Sequence, residues 1–163
     1  MQPVSGPESA ASLRQADASD ADPIRDLVAA AYGHYIPLIG RKPMPMLADY
    51  SVAIREHDVW VLEAAGAIAG VLETVSHDDH LWIENIAITP GCQGRGFGRR
   101  LLDHAEREAR RRGLSEVRLL TNERWSDNIA WYTRSGYLET HREPRLGTDV
   151  VHFRKVLDAH KST

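Results

Sequence analysis

The chain has one cysteine, Cys92, in 163 residues, so no disulfide can form within it. That suits a reducing compartment, and the cytoplasm is the expected location. No apolar run approaches the roughly 20 residues that a membrane-spanning helix needs, so no membrane partner is expected. Met1 to Ser12 lacks the charged and then apolar stretch of a secretory signal; its Pro, Gly, Ser and Ala read as a loose tail. A basic excess is missing too. Twenty Lys and Arg against 23 Asp and Glu leave a net charge of -3, which argues against nucleic acid as the main partner. There is no internal repeat and no low-complexity segment beyond the tail. What is present, 42% hydrophobic and 26% charged residues, is ordinary for one globular domain with a core that needs no metal or disulfide. The expected layout is a tail over 1–10, one domain over 11–158 and a second tail over 159–163.

Periodicity orders the domain. Ser12 to Ala16 reads as a short strand. Asp22 as N-cap and Pro23 at the first helical position open a helix whose stripe is Ile24, Leu27, Val28 and Ala31, and Gly33 ends it. Between Tyr35 and Pro45 the prolines are dense enough to forbid a regular helix, which resumes within Met46 to Glu56. Three strands follow, Val59 to Ala64, Ile68 to Val75 and Leu81 to Ile88. Ala65-Gly66 and His77-Asp78-Asp79 turn them into an antiparallel meander. His77-Asp78-Asp79-His80 is read as turn chemistry rather than a metal site, and no metal is expected.

The pattern then changes. A helix from Phe97 to Arg112 carries the stripe Leu101, Leu102, Ala105 and Ala109. Asp103 with Arg107 and Glu106 with Arg110 stand as i,i+4 pairs, and Gly113 is the stop. Val117 to Thr121 is a buried strand. Ser126 caps a helix that ends at Ser135 and Gly136. Val150 to Leu157 is a last strand, with Tyr137 to Arg142 as its partner. The order is β-α-α-β-β-β-α-β-α-β-β.

The informative stretch is Ile83 to Leu102, IENIAITPGCQGRGFGRRLL. A strand enters a glycine-rich turn, and the turn opens a helix. Unpaired N–H groups at a helix start carry partial positive charge, and glycine lets a diphosphate approach them closely. Arg95, Arg99 and Arg100 can add contacts to phosphate. Taken alone, such a loop is also an ordinary tight strand-to-helix turn. The spacing G-x-G-x-G after a meander does not fit the dinucleotide fingerprint G-x-G-x-x-G, and no Gly-Lys-Ser/Thr follows for a P-loop.

With its flanks, the run Gln93-Gly94-Arg95-Gly96-Phe97-Gly98 resembles the Q/R-x-x-G-x-G/A signature of the GNAT acetyltransferase superfamily. Ile86-Ala87-Ile88 with Thr89-Pro90 resembles the segment before that signature. Asn128-Ile129-Ala130-Trp131-Tyr132 through Ser135-Gly136-Tyr137 resembles the second half, and the likeness covers about Ala11 to Leu157. It implies an α+β, three-layer GNAT-like fold, with a mixed central sheet of six to seven strands and about four flanking helices. It also implies acetyl-CoA as co-substrate and direct transfer of its acetyl group to an amine.

Residue by residue, the resemblance implies that Ile86, Ala87 and Ile88 meet the pantetheine arm. Gln93, Gly94, Arg95, Gly96, Gly98 and Arg99 would hold the pyrophosphate. Tyr132 matches the tyrosine that protonates the leaving thiolate. Asn128 lies one turn earlier on the same face and can reach the cofactor; the family often has asparagine seven residues before the tyrosine, where this chain has Trp125. A base is needed because an ammonium cannot attack. Glu84 is the candidate, read as sharing a face with Trp82, Ile86 and Ile88 and drawing a raised pKa from those apolar neighbours. Tyr35, Arg41, Asp49 and Tyr50 are the candidates for the acceptor site, because this fold usually walls that side with its first two helices. Ile39-Gly40-Arg41 with Pro43, Pro45 and Met46 resembles a stretch in uncharacterised bacterial members. The expected acceptor is a small-molecule amine, with a protein N-terminus or lysine, or a non-catalytic acyl-CoA-binding module, as the alternatives. A homodimer is left open.

Overall fold

A computed structural model describes residues 11–158. The tails expected at 1–10 and 159–163 lie outside the described residues.

Seven strands form one sheet: β1 Ser12–Gln15, β2 Asp58–Ala64, β3 Ala67–Ser76, β4 Leu81–Ile88, β5 Glu116–Asn122, β6 Leu138–Arg145 and β7 Thr148–Val156. Their order across the sheet is β1-β2-β3-β4-β5-β7-β6. All neighbours are antiparallel except β4 and β5. Ala65 and Gly66, both at positive φ, turn β2 into β3. The expected helices are α1 Ala21–Tyr32, α3 Tyr50–Glu56, α4 Phe97–Arg111 and α5 Ser126–Arg134, and the chain adds one turn, α2 Ile36–Ile39. Among the described residues no helix is long and apolar enough to cross a membrane.

The sheet divides two cores. On one face Leu101, Leu102, Ala105 and Ala109 of α4 pack on Leu72, Leu81 and Val117. Leu101 and Leu102 are 0% exposed, and each such side chain contributes about 1.5–3 kcal/mol by leaving water. On the other face Ile24, Leu27, Val28 and Ala31 of α1 pack on Val59, Val61 and Val71.

Several local expectations need correcting. Helix α1 is not capped by Asp22. Asp17 caps a preceding 3-10 turn, Asp20 closes the reciprocal hydrogen bond, and α1 continues from there. Proline does not keep α2 from forming, because Pro37 occupies its first turn, where no N–H is required. Helix α5 has Trp125 rather than Ser126 at its N-cap. On α4 the partners are re-sorted. Asp103 pairs backward with Arg99 at 3.1 Å, still i,i+4 but in the opposite order, and Glu106 pairs with Lys155 of β7 at 2.7 Å, a tertiary partner in place of Arg110.

Candidate active site

The site begins with an extra residue in β4. Glu73 of β3 faces Asn85, but its neighbour Thr74 faces Ile83, so Glu84 is left over as a bulge. The parity of β4 slips there. Leu81 and Ile83, then Ile86 and Ile88, turn to the α4 core, whereas Ala87 turns to the α1 core. Glu84 therefore does not share a face with Ile86 and Ile88. Its carboxylate is exposed and accepts the Trp82 indole N–H at 2.8 Å, so the apolar surroundings expected of it are missing. Beyond the bulge β4 also leaves β5. The two pair only at Leu81–Val117 and Trp82–Arg118, although both continue.

Two cavities adjoin this gap. The one at the glycine turn, about 410 Å³, is lined by Ile86, Ala87, Ile88, Gln93, Gly94, Gly96, Gly98, Arg99 and Asn128. These are nine of the ten residues expected at the cofactor. Gly94 and Gly96 have φ of 81° and 78°, a conformation that disfavours a side chain, and a Cβ on either would meet nothing within 4 Å. A Cβ on Gly98 would lie 3.2 Å from the Trp131 ring, so that glycine lets α4 and α5 close up. The first bond of α4 runs from Arg100 N–H to the Gly96 carbonyl. The N–H groups of Phe97, Gly98 and Arg99 precede it and point out of the helix end. Arg95 is exposed and not among the lining residues. Arg100 turns away and donates to the Ala11 carbonyl at 2.9 Å, so it is not available as expected.

The second cavity, about 490 Å³, is lined by Arg41, Asp49, Tyr50, Glu84, Asn128 and Tyr132. Three of the four expected acceptor residues are among them. Tyr35 is not; it lines the glycine-turn cavity instead. It stacks on Trp125 with 4.3 Å between ring centres, and its hydroxyl donates to Asp127 at 3.1 Å. Tyr32 and Asn128 line both cavities, so the two meet at these side chains.

Sequence reasoning missed much of the second cavity. The Tyr32 hydroxyl donates to Asn85 Oδ1 at 2.8 Å, Asn85 Nδ2 donates to the Tyr50 hydroxyl at 3.0 Å, and Tyr50 donates to the Pro45 carbonyl at 2.6 Å. This buried chain ties α1, β4, α3 and the proline-rich segment together. Glu73 and His57 also line the cavity, with Glu73 Oε2 2.6 Å from His57 Nδ1. Burial pushes the Glu73 carboxyl up, against the lowering pull of His57. Signals for part of this existed. Tyr32 extends the stripe of α1, and Glu73 is a lone charge inside an apolar strand. Tyr132 is buried, and burial drives its phenol well above the ordinary tyrosine value. Among the described residues, no hydrogen bond engages its hydroxyl.

A model described as the acetyltransferase (GNAT) family matches residues 22–137. The chain belongs to that family. The GNAT assignment agrees with a curated relative, an uncharacterised N-acetyltransferase, YhdJ, of Bacillus subtilis (strain 168). The two are 38% identical over 72 residues, which cover 43% of this chain and 51% of that protein. The chain thus spans about half the length of the curated relative it matches. Solved structures share the fold. The paiA N-acetyltransferase of Thermoplasma acidophilum, in complex with coenzyme A, superposes with a TM-score of 0.77 at 16% identity, covering 90% of this chain and 99% of that one. The putative acetyltransferase yncA of Salmonella typhimurium, with acetyl-CoA, gives 0.69 at 22% identity, covering 94% and 97%. The ribosomal-protein-S18-alanine N-acetyltransferase of Escherichia coli gives 0.73 at 18% identity, covering 94% and 99%.

Proposed function

We propose that this chain is an acetyl-CoA-dependent N-acetyltransferase whose single domain spans residues 11–158 and whose acceptor is a small-molecule amine, acting in the cytoplasm. The observation that carries the reading is the join between the two cavities. One has a glycine cradle and outward N–H groups; the other has a carboxylate and a phenol; Tyr32 and Asn128 belong to both. The cradle suits a diphosphate, because Gly94 and Gly96 leave open the space a side chain would fill. Gln93, Gly98 and Arg99 complete that end. Ile86, Ala87 and Ile88 offer the β4 edge that β5 has left, where an extended arm can pair as a strand would.

Acetyl-CoA supplies the thioester; the chain supplies position and protons. At pH 7.4 only about one in a thousand molecules of an amine with pKa about 10.4 is neutral. Glu84, directly or through water, takes the first proton from the ammonium. The nitrogen then bonds to the acetyl carbon, the carbon–sulfur bond breaks, and nitrogen gives up a second proton to solvent. Tyr132 donates a proton to the departing sulfur and recovers one from solvent. The raised phenol keeps that proton on Tyr132 at neutral pH. The proline-rich wall from Arg41 to Tyr50 favours a small acceptor over a peptide.

The reading is tested by incubating the chain with acetyl-CoA and a panel of amines and following thiol release, with cofactor affinity measured by calorimetry. Thiol release that depends on the amine is expected. Tight binding without turnover on any amine would instead identify a binding module.

A further inference from the structure

The charged groups of the larger cavity do not all find partners within it. His57 is taken by Glu73 at 2.6 Å. His152 and Arg145 both pair with Glu143, at 2.8 and 3.1 Å. Asp49 is occupied by the N–H groups of Ser51 and Val52 at the start of α3. Two groups are left over. Among the described residues no carboxylate pairs with Arg41; its one hydrogen bond is a long one, 3.3 Å to the neighbouring Lys42 carbonyl, and its Nε is enclosed without an acceptor. Among the same residues no cation pairs with Glu84, which holds only the Trp82 indole. The terminal N–H groups of Arg41, held by that one long bond, are therefore the ones left to take a carboxylate from a ligand.

The two left-over charges have opposite sign, line the same cavity and come from different elements. Arg41 follows α2 on the proline-rich segment, and Glu84 is the bulge of the sheet. The same lining carries an apolar set, Ile39, Pro43, Val52, Leu120, Trp125 and Val150, beside the polar Thr121 and Asn122. We propose that the acceptor is a free amino acid with an apolar side chain, its carboxylate held by Arg41 and its ammonium by Glu84. The inference deepens the acetyl-transfer reading and rests on it for the chemistry that follows binding. A guanidinium fork fits a planar carboxylate through two parallel N–H groups, and an uncharged amide does not replace that pairing. The ammonium end arrives at the group already assigned to take its proton.

Calorimetry with coenzyme A saturating tests the assignment, using leucine, phenylalanine and tryptophan, each beside its own carboxamide. At pH 6.5 the α-amine is mostly protonated in the carboxamide, at about 7.7–8.0, and still more so beside a free carboxylate, so the pair differs mainly in the carboxylate. The native chain should bind at least one acid tenfold or more tighter than its carboxamide. Arg41→Gln should bring that ratio to within about threefold of one, and Arg41→Lys should keep part of it. Equal affinity for acid and carboxamide, binding of neither, or a ratio that survives in Arg41→Gln would overturn the assignment. Thiol release from acetyl-CoA is followed in parallel at pH 8. Carboxylate-dependent binding without thiol release would uphold the amino-acid pocket and remove the transfer reading instead.

Discussion

Replacing Gly96 by aspartate separates the electrostatics of the glycine turn from its conformation. Gly96 has φ of 78°, and a Cβ there meets nothing within 4 Å, so the new side chain displaces no atom of the protein. The left-handed backbone costs about 1–2 kcal/mol for an ordinary residue and less for aspartate. A carboxylate at the N-terminus of α4 returns about 0.3–1 kcal/mol. The two nearly cancel, so the melting temperature should move by no more than about 4 °C. Binding should respond very differently. A negative charge about 5 Å from one phosphate, at an effective dielectric constant of about 20, opposes it by roughly 3 kcal/mol. That is a loss of more than about 100-fold in affinity. Gly96→Ala carries the strain without the charge and should lose at least tenfold less. Calorimetry with coenzyme A reads both variants, and 0.5 M salt should restore part of the aspartate defect but not the alanine one. If Gly96→Asp binds within threefold of the native chain, or if alanine is as damaging as aspartate, the turn does not hold the diphosphate.

Two further outcomes follow from other groups. Tyr132→Phe keeps the ring between Tyr137 and Phe153, both about 6.0 Å away, so coenzyme A affinity should hold within about twofold. Turnover should fall by about 10²-fold for the lost acid; equal turnover would remove Tyr132 from that role. Asp20 should show itself in acid. Its carboxyl is held below the usual 3.8 by hydrogen bonds from Arg14, at 2.8 and 2.9 Å. A carboxyl lowered by folding contributes stability above 3.8, and the contribution fades as pH falls below that value. Asp20→Asn should therefore cost about 1–2 kcal/mol at pH 7 by urea unfolding, discounted because Arg14 is partly exposed. The gap from the native chain should narrow below pH about 3.8, and a gap that widened there would reverse the assignment.

Much of the fold was legible because its signals are local. The meander shows as strands of period two between turn residues, and α4 as a stripe of period 3.6 that ends at Gly113. The glycine turn was legible for the same reason, since a backbone at positive φ leaves its mark at the residue itself. What sequence reading lost was non-local. Lys155, not Arg110, takes Glu106, because the face of α4 is completed by β7. Asp22 looked like a cap only because the pairing of Asp17 with Asp20 over a 3-10 turn has a weaker local signature. The larger cavity was the least legible. Its Glu73–His57 pair joins positions 16 apart on a strand and a helix end. Tyr35 left the expected wall because Asp127, 92 residues later, takes its hydroxyl.

The single slip that reaches furthest is the one at Glu84. A strict alternation along β4 puts Glu84 with Ile86 and Ile88, and no composition cue marks the extra residue. Once the bulge is inserted, three features of the site follow from it together. Ile86 and Ile88 turn to α4 and Asn85 to the α1 side, where it bridges Tyr32 and Tyr50. The added local twist of a bulge carries β4 away from its parallel neighbour, and the ladder to β5 stops after two pairs. The residue left unpaired by the ladder becomes the carboxylate that lines the larger cavity. The sheet is thus opened, the wall re-aimed and the carboxylate exposed by one inserted position, which is why reasoning from period alone assigned Glu84 the wrong surroundings.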